Sequence, residues 1–251
     1  MNLYHPIPTL EKTGLVQAAT SIRHGGVSRP PYHSLNLANH VGDDSEAVST
    51  NRGIFFDQVG LEAQKFIYCH QIHSARVLLI EPFIHPPQLP FAEADAMITA
   101  HPSLALGVFT ADCVPVFILD IATPAIGIAH AGWRGTLSGI AAKTLNAMQK
   151  HFGTLPTNCL AHLGPSIQKC CYTVSMELAD RFERAFGAQV RSEENRLDLQ
   201  TANVQQLLQT GMPPHAISIS PFCTACRTDV FYSHRAEGGQ TGRMLSLIRL
   251  H

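Results

Sequence analysis

The sequence lacks a charge excess of either sign, a long apolar run and a signal-like amino terminus. Its 18 Lys and Arg balance 19 Asp and Glu, a formal net charge of −1. This balance argues against a constitutive nucleic-acid binder or a polybasic membrane module. No apolar run approaches the roughly 18–20 residues of a membrane span. Residues 1–12 have no basic region followed by an apolar one, so we expect no secretory signal.

The remaining composition is that of a globular protein. Hydrophobic residues make up 45% and charged residues 15% of the 251 residues, which excludes disorder. A chain of this length buries a sizeable core without help from disulfides. The Pro-rich stretch Pro82–Pro90 is typical of a surface loop, because no second composition begins after it. We therefore predict a single domain over residues 1–251.

The seven cysteines are an odd number and accompany 14 histidines. An odd count in a large chain favours a reduced protein, so we predict a cytoplasmic location. Cys223 and Cys226 form an isolated C-x-x-C pair. A structural zinc site needs a second pair at similar spacing, whereas Cys170 and Cys171 are adjacent. We interpret these residues as buried reduced thiols, with redox chemistry as the alternative.

Short apolar runs of strand length are interspersed with helical patterns. A mixture of hairpins and helices indicates the α+β class rather than a strict βαβ alternation. Gly153 and Gly187 end two of the helical patterns, and Ser175 is a candidate N-cap. The predicted strands are Gln17–Ile22, Ala75–Ile80, Leu104–Phe109, Val114–Asp120, Ala125–His130, Ile217–Ser220 and Met244–Leu250, and the predicted helices are Thr136–Phe152, Leu178–Phe186 and Thr201–Thr210.

A thiol and an imidazole are expected to meet at the open end of one predicted hairpin. If Val114–Asp120 pairs with Ala125–His130, Cys113 lies at the start of one strand and His130 at the end of the other. Cross-strand neighbours have Cβ atoms roughly 5 Å apart. The pair is then a nucleophile with its base, two ligands of one metal, or a small buried hydrophobe beside a core histidine.

A third ligand near Cys113 and His130 would favour a metal site over the other two interpretations. His70 and His73 immediately precede the strand at Ala75. In an extended chain, residues three apart point to opposite faces, so only one of these histidines can join the site. One cysteine and two histidines leave a fourth coordination position open, which is the arrangement of a catalytic zinc.

Several motifs extend this constellation over nearly the whole chain. They are Arg23-His-Gly-Gly-Val-Ser28, Gln71-Ile-His73, Ala94-Asp-Ala-Met-Ile-Thr99, Thr110-Ala-Asp-Cys113, His130-Ala-Gly-Trp-Arg-Gly135, Leu163-Gly-Pro-Ser-Ile167, Cys171-Tyr172 and Thr241-Gly-Arg243. In this set the sequence resembles the YfiH/laccase-domain family. Members of that family are known as polyphenol oxidases, purine nucleoside phosphorylases or peptidoglycan editing factors.

The resemblance implies a fold, a metal and an activity. The fold is a four-layer αββα sandwich with mixed sheets. The metal is one zinc ion held by His73, Cys113 and His130, with copper as the less favoured cofactor. The implied activity is phosphorolysis of adenosine, inosine, guanosine and S-methyl-5′-thioadenosine, together with adenosine deamination. The expected partners are therefore purine nucleosides and phosphate, and we expect a monomer that binds neither nucleic acid nor membrane.

Two further residues are candidates for a catalytic role beside Cys113. Asp112 could act as a general acid/base or orient a ligand histidine, although in a strand its side chain would face away from that of Cys113. Arg134 stands where the Thr136 helix begins. Free N–H groups at a helix start and a nearby guanidinium favour phosphate binding. A surface salt bridge is the alternative for Arg134.

Arg23 and Arg243 are additional candidates for binding substrate or phosphate. Gly25–Gly26 is interpreted as a tight turn rather than a phosphate loop. Trp133, the only tryptophan, is expected to pack in the core rather than stack on a base.

Three other functions are alternatives. Copper laccase chemistry needs His-x-His pairs, and no two of the 14 histidines are two positions apart. A metal-free cysteine hydrolase would use Cys113 as nucleophile and His130 as base, and by resemblance this fold is shared with a deamidating toxin. An editing factor for cell-wall precursors is the third alternative, for which the sequence contains no test.

Overall fold

The computed structural model describes residues 2–82 and 88–251. Part of the predicted loop Pro82–Pro90, residues 83–87, lies outside the described residues. The strands are β1 (Tyr4–Pro6), β2 (Val16–Ser21), β3 (Phe66–Tyr68), β4 (Val77–Leu79), β5 (Ala96–Thr99), β6 (Ala105–Thr110), β7 (Val114–Asp120), β8 (Ala125–Ala131), β9 (Cys159–Leu163), β10 (Arg191–Ser192), β11 (Arg196–Leu197), β12 (Ile217–Ile219) and β13 (Met244–Leu250). The helices are α1 (Pro8–Glu11), α2 (Ser45–Val59), α3 (Trp133–Leu137), α4 (Ile140–Phe152), α5 (Met176–Phe186) and α6 (Leu199–Gln209).

Two mixed sheets face each other at the centre of the fold. The first has the strand order β1-β2-β13-β6-β3, in which only the β3–β6 pair is parallel. The second has the order β12-β9-β7-β8-β5-β4, with parallel pairs at its two edges. Side chains such as Leu106, Ile248, Phe117 and Ile128 fill the space between the sheets.

Helices cover the outer face of each sheet. Phe55 and Phe56 of α2 pack on the first sheet, whereas Leu145 and Met148 of α4 pack on the second together with residues of α5 and α6. The layers therefore run helix, sheet, sheet, helix, which confirms the predicted α+β class and four-layer αββα sandwich. Every residue of β7 and β8 is buried, because both faces of the second sheet are covered.

Most predicted elements are present, with small shifts at their ends. Val114–Asp120 and Met244–Leu250 match β7 and β13, and β8 extends one residue beyond the predicted Ala125–His130. Ser175 is the N-cap of α5, since its hydroxyl accepts a hydrogen bond from Leu178 N at 3.3 Å. The strand predicted over Ala75–Ile80 is confined to β4, because the chain before it turns around a buried carboxylate described below.

The single helix predicted over Thr136–Phe152 is wrong in one respect. The chain forms two helices, α3 and α4, separated by Ser138 and Gly139. Gly139 has a φ of 80°, a conformation that interrupts a helix and that glycine adopts without steric cost. The helix that begins near Arg134 therefore has only five residues.

In the described part of the chain, no helix is both long and apolar enough to cross a membrane.

Candidate functional site

The β7–β8 hairpin brings Cys113 and His130 together as the sequence predicted. Val114 pairs with Ala131 and Pro115 with His130, so Cys113 lies beside the end of β8. His73 completes a group whose three ligand atoms all lie within 4.8 Å of one another. The imidazole rings of His73 and His130 are 4.8 Å apart between centroids and nearly perpendicular, at 76°.

His73 reaches the site through a turn rather than through a strand. Its φ of 58° is in the left-handed region, which is uncommon for a residue with a Cβ atom. Gln71 fixes the start of this turn, because its amide exchanges two hydrogen bonds with the backbone of Phe109, at 2.7 and 2.8 Å. Thus His73, the histidine that the resemblance implied, lies in the group and His70 does not. A turn separates the two histidines, and the expected alternation along an extended chain does not.

Asp95 also belongs to the site, although it was not among the residues predicted from the sequence. Its carboxylate accepts hydrogen bonds from His73 N at 3.0 Å, Ser74 N at 2.6 Å and His130 Nδ1 at 2.8 Å. It also accepts one from Ile72 N at 3.2 Å. A carboxylate behind a ligand histidine fixes the ring and leaves Nε2 for a metal. In the sequence, the feature that could have indicated Asp95 was a single acidic residue directly before the largely apolar stretch that forms β5.

The electrostatics of the group favour a thiolate. Burial raises the pKa of Cys113, but the charge of His130 and hydrogen bonds from His130 and His73 outweigh it, and the net shift is downward. Burial likewise lowers the pKa of His130, yet Cys113 and Asp95 outweigh it and the net shift is upward. The thiolate is the form of cysteine that binds metals.

A glycine provides the space for these ligands. A Cβ atom at Gly132 would lie 3.0 Å from Cys113 Sγ and 3.0 Å from His73 Cδ2. Contacts of this length are tighter than ordinary van der Waals packing, so a side chain there would displace the ligands. One thiolate and two imidazoles around such a space are a suitable donor set for a single zinc ion with an open fourth position.

The three candidate ligands line a cavity of about 430 Å³. Three arginines line the same cavity: Arg134 and Arg243, which the sequence analysis named, and Arg235, which it did not. Arg243 is half-buried and donates to the carbonyls of Thr241 and Gly242 at 2.8 and 2.9 Å. The cavity thus combines candidate metal ligands with positive charge suited to an anion.

Asp112 lines the cavity, but its carboxylate oxygens already accept hydrogen bonds from other groups of the protein. It precedes β7 with a φ of 90°, so the strand geometry that would turn its side chain away from that of Cys113 does not apply. Its Oδ1 accepts from the hydroxyls of Thr224 at 2.7 Å and Ser233 at 2.8 Å, and its Oδ2 accepts from Arg235 N at 2.7 Å. This geometry suits a residue that positions loops, and its acid/base role stays a prediction.

The other anion candidates differ in their placement. Arg23 does not line the cavity; its guanidinium pairs with Glu237 at 2.9 Å and donates to Thr228 O at 2.6 Å. Arg134 is exposed, and its Cζ lies 4.2 Å from the centroid of the Trp133 ring. Because α3 has only five residues, phosphate binding at this position would depend on the guanidinium of Arg134 and not on the start of the helix. Trp133 is half-buried: it packs against the core and also lines the cavity.

A second cavity of about 410 Å³ adjoins the first. His40, Gln71 and Phe109 line both, so the two share one wall. His70 lines only the second cavity, which is where the turn at His73 leaves it.

The chain is similar to known proteins over almost its full length. A family model described as multi-copper polyphenol oxidoreductase laccase matches residues 17–251. A protein of Geobacillus stearothermophilus named purine nucleoside phosphorylase YlmD is 33% identical over 243 residues, covering 92% of this chain and 89% of that protein. A purine nucleoside phosphorylase of Corynebacterium glutamicum is 37% identical over 239 residues, with 94% of each chain covered.

Solved structures agree with these relationships. The crystal structure of the hypothetical protein YfiH of Bacillus licheniformis superposes with a TM-score of 0.93 at 32% identity, covering 100% of this chain and 97% of the other. That of YlmD from Geobacillus stearothermophilus gives a TM-score of 0.89 at 32% identity, covering 94% and 92%. The chain therefore belongs to the YfiH/YlmD family, the one that the laccase-like model describes.

Proposed function

We propose that this chain is a zinc-dependent purine nucleoside phosphorylase that also deaminates adenosine. The observation that carries the proposal is one cavity in which three metal ligands and three arginines meet. The names of its relatives support the phosphorylase activity. The substrates that we propose are adenosine, inosine, guanosine and S-methyl-5′-thioadenosine, each with inorganic phosphate.

Phosphorolysis requires that phosphate attack C1′ of the nucleoside while the bond from C1′ to the purine nitrogen breaks. The protein must hold a dianion beside the ribose for this step. Arg134, Arg235 and Arg243 supply guanidinium groups that bind phosphate oxygens with charge-assisted hydrogen bonds. The rings of Trp133 and Tyr172 line the same cavity and offer flat surfaces for a purine.

His73, Cys113 and His130 would hold the zinc ion, and Asp95 would orient His130 toward it. When bound, zinc in a three-ligand site supplies a Lewis acid with an open coordination position, able to polarise a phosphate or ribose oxygen or to activate water. Access to water would permit adenosine deamination in the same cavity. The exposed side of His73 is consistent with such access.

The candidate metal site suits one zinc ion better than a set of copper ions. Among residues 2–82 and 88–251, only two groups of three or more metal-ligating side chains are close together, and one of them consists of cysteines alone. A multicopper oxidase needs several copper ions with many histidine ligands. The group at His73, Cys113 and His130 suits one ion.

A specific contact also favours a second candidate, the metal-free cysteine hydrolase. Cys113, His130 and Asp95 form a chain of hydrogen bonds that resembles a nucleophile, a base and its orienting carboxylate. His73 argues against it, because a second imidazole at the thiolate has no role in that mechanism but is expected of a metal ligand.

The test is incubation of purified protein with each nucleoside, with and without phosphate. We expect inosine to yield hypoxanthine and ribose 1-phosphate only when phosphate is present. Cys113→Ala and metal-free protein should both be inactive, and zinc should restore activity to the metal-free protein alone. Full activity without metal would favour the hydrolase, and hypoxanthine release without phosphate would overturn phosphorolysis.

We also propose a cell compartment and an oligomeric state for the enzyme. All seven cysteines are free, which suits a reducing compartment, and we propose the cytoplasm. We also propose that the enzyme acts as a monomer.

A further inference from the structure

Four cysteines converge outside the cavity site. Cys170 and Cys171 lie in a turn between β9 and α5, and Cys223 and Cys226 lie in the segment between β12 and β13. The Sγ atom of Cys226 is 3.6 Å from that of Cys170 and 3.3 Å from that of Cys171. All four Sγ atoms lie within 4.8 Å of one another. The fold therefore places Cys170 and Cys171 beside the C-x-x-C pair, which their spacing in the sequence did not indicate.

The separations suit a tetrahedral metal site. Four sulfur atoms bound to zinc at 2.3 Å form a tetrahedron with edges of about 3.8 Å. The two sulfur contacts of Cys226, at 3.3 and 3.6 Å, are close to that edge. All four cysteines are free, so no disulfide competes for them in this structure. Cys223 is buried, but Cys226 is exposed, so the interpretation of this pair as buried thiols is wrong for Cys226.

The backbone around Cys223 is a second, independent feature of a metal site. Its Sγ accepts a hydrogen bond from Gln168 N at 3.4 Å, across the contact between the two segments. The backbone N–H groups of Ala225 and Cys226 also donate to this sulfur. Several N–H donors on one sulfur compensate the negative charge of a thiolate, the form in which cysteine binds metal.

We propose that Cys170, Cys171, Cys223 and Cys226 bind one zinc ion in a closed site separate from the cavity. Four cysteine ligands and no open position are typical of a structural zinc. Binding forms four bonds from sulfur to zinc, and the thiols release their protons to solvent.

This site joins the two segments that form one wall of the cavity. Ser166 O accepts from Thr224 N at 3.1 Å, so the segments already touch through their backbones. Thr224 lies inside the C-x-x-C pair, and its hydroxyl donates to Asp112 Oδ1 at 2.7 Å. Tyr172, directly after Cys171, lines the cavity. The zinc would therefore position groups of the cavity without touching substrate.

The first experiment counts zinc in proteins purified under reducing conditions. Wild type should carry two zinc ions per chain, and Cys226→Ser and His73→Ala/Cys113→Ala should each carry one. Cys159→Ala is the matched control, because Cys159 lies in the core of the second sheet, and it should keep both ions. A zinc content in Cys226→Ser equal to that of wild type would overturn the site.

The count also separates this proposal from the proposed function. One zinc in wild type that is kept by His73→Ala/Cys113→Ala and lost by Cys226→Ser would support the cysteine site and overturn zinc in the cavity. The opposite pattern would overturn the cysteine site alone.

A second measurement leaves the four clustered cysteines unchanged. Zinc X-ray absorption of His73→Ala/Cys113→Ala should show four sulfur neighbours at about 2.3 Å. In the same protein, native alkylation should spare the four thiols until a chelator removes the ion. Fewer than four sulfur neighbours, iron in place of zinc, or a disulfide among these cysteines in freshly purified protein would overturn the proposal.

Discussion

Nδ1 of His130 lies 2.8 Å from Oδ1 of Asp95, and this contact decides which nitrogen of His130 faces the cavity. The same carboxylate accepts the backbone N–H groups of Ile72, His73 and Ser74. One buried acid therefore orients one candidate ligand through its ring and another through its backbone. Such a carboxylate affects metal affinity without touching the metal.

Asp95→Asn should weaken zinc binding in the cavity by about 10- to 100-fold, the usual effect of losing an orienting carboxylate. The amide has one fewer acceptor and no charge for its donors. Competition with a chromogenic chelator measures the affinity. Asp120→Asn is the matched control: Asp120 is equally buried but accepts from the turn at the opposite end of the β7–β8 hairpin. Unchanged affinity in Asp95→Asn would contradict its orienting role.

His73→Ala should lose the cavity zinc and with it the phosphorolysis of inosine, because two ligands hold zinc poorly. His70→Ala should keep both, since His70 lines only the adjoining cavity. Elemental analysis and product assays on the two variants make the comparison. The reverse pattern would place the wrong histidine at the metal.

Arg134→Ala should raise the KM for phosphate in phosphorolysis by roughly 10- to 100-fold. The expectation follows from the loss of one charged hydrogen-bond partner, worth about 1.5–3 kcal/mol. Adenosine deamination uses water, so it should decrease less. Arg181→Ala, which removes an exposed arginine from α5, should change neither reaction. Equal losses in both reactions would assign Arg134 a structural role.

Gly132→Ala should weaken the cavity zinc although it changes no ligand. The φ of Gly132 is −73°, which alanine adopts freely, so the effect arises from the contacts of the new Cβ with Cys113 and His73. Overpacking costs about 1–3 kcal/mol, or about 5- to 150-fold in affinity. Gly53→Ala in α2 is the control, because its Cβ meets nothing within 4 Å and should stabilise the helix slightly. Zinc affinity equal to that of wild type would show that the ligands tolerate the displacement.

The sequence predicted the parts of the site that depend on local patterns. Cys113 and His130 flank a hairpin whose apolar runs have clear ends, so their meeting followed from strand pairing. His73, the histidine that the resemblance implied, lies in the group, but the turn that presents it depends on Asp95, which lies 22 positions away. Nothing in the local sequence around His73 specifies a partner at that distance.

Two other features could not be predicted for related reasons. The interruption at Gly139 lies within a pattern whose apolar spacing continues through both helices, so periodicity alone predicts one helix. The cysteine cluster joins segments that are more than 50 residues apart, as the 56 positions between Cys170 and Cys226 illustrate. Rules based on the spacing of cysteine pairs cannot detect ligands that meet only through the fold.

The position of Cys113 has a mechanical consequence. The chain leaves β6 of the first sheet at Thr110 and enters β7 of the second at Val114, so Cys113 belongs to the short crossing between the two sheets. Its partner His130 is anchored in the second sheet, and Asp95, directly before β5 of that sheet, holds the turn of His73. Gln71 ties the start of the same turn to Phe109 in the first sheet. Sliding of one sheet over the other would pull on this turn through Gln71 and would change the distances from Cys113 to the two histidines that Asp95 holds together. The proposed zinc ion would fix those distances and so would resist the sliding, and the free energy of its binding would add to the free energy needed to separate the sheets.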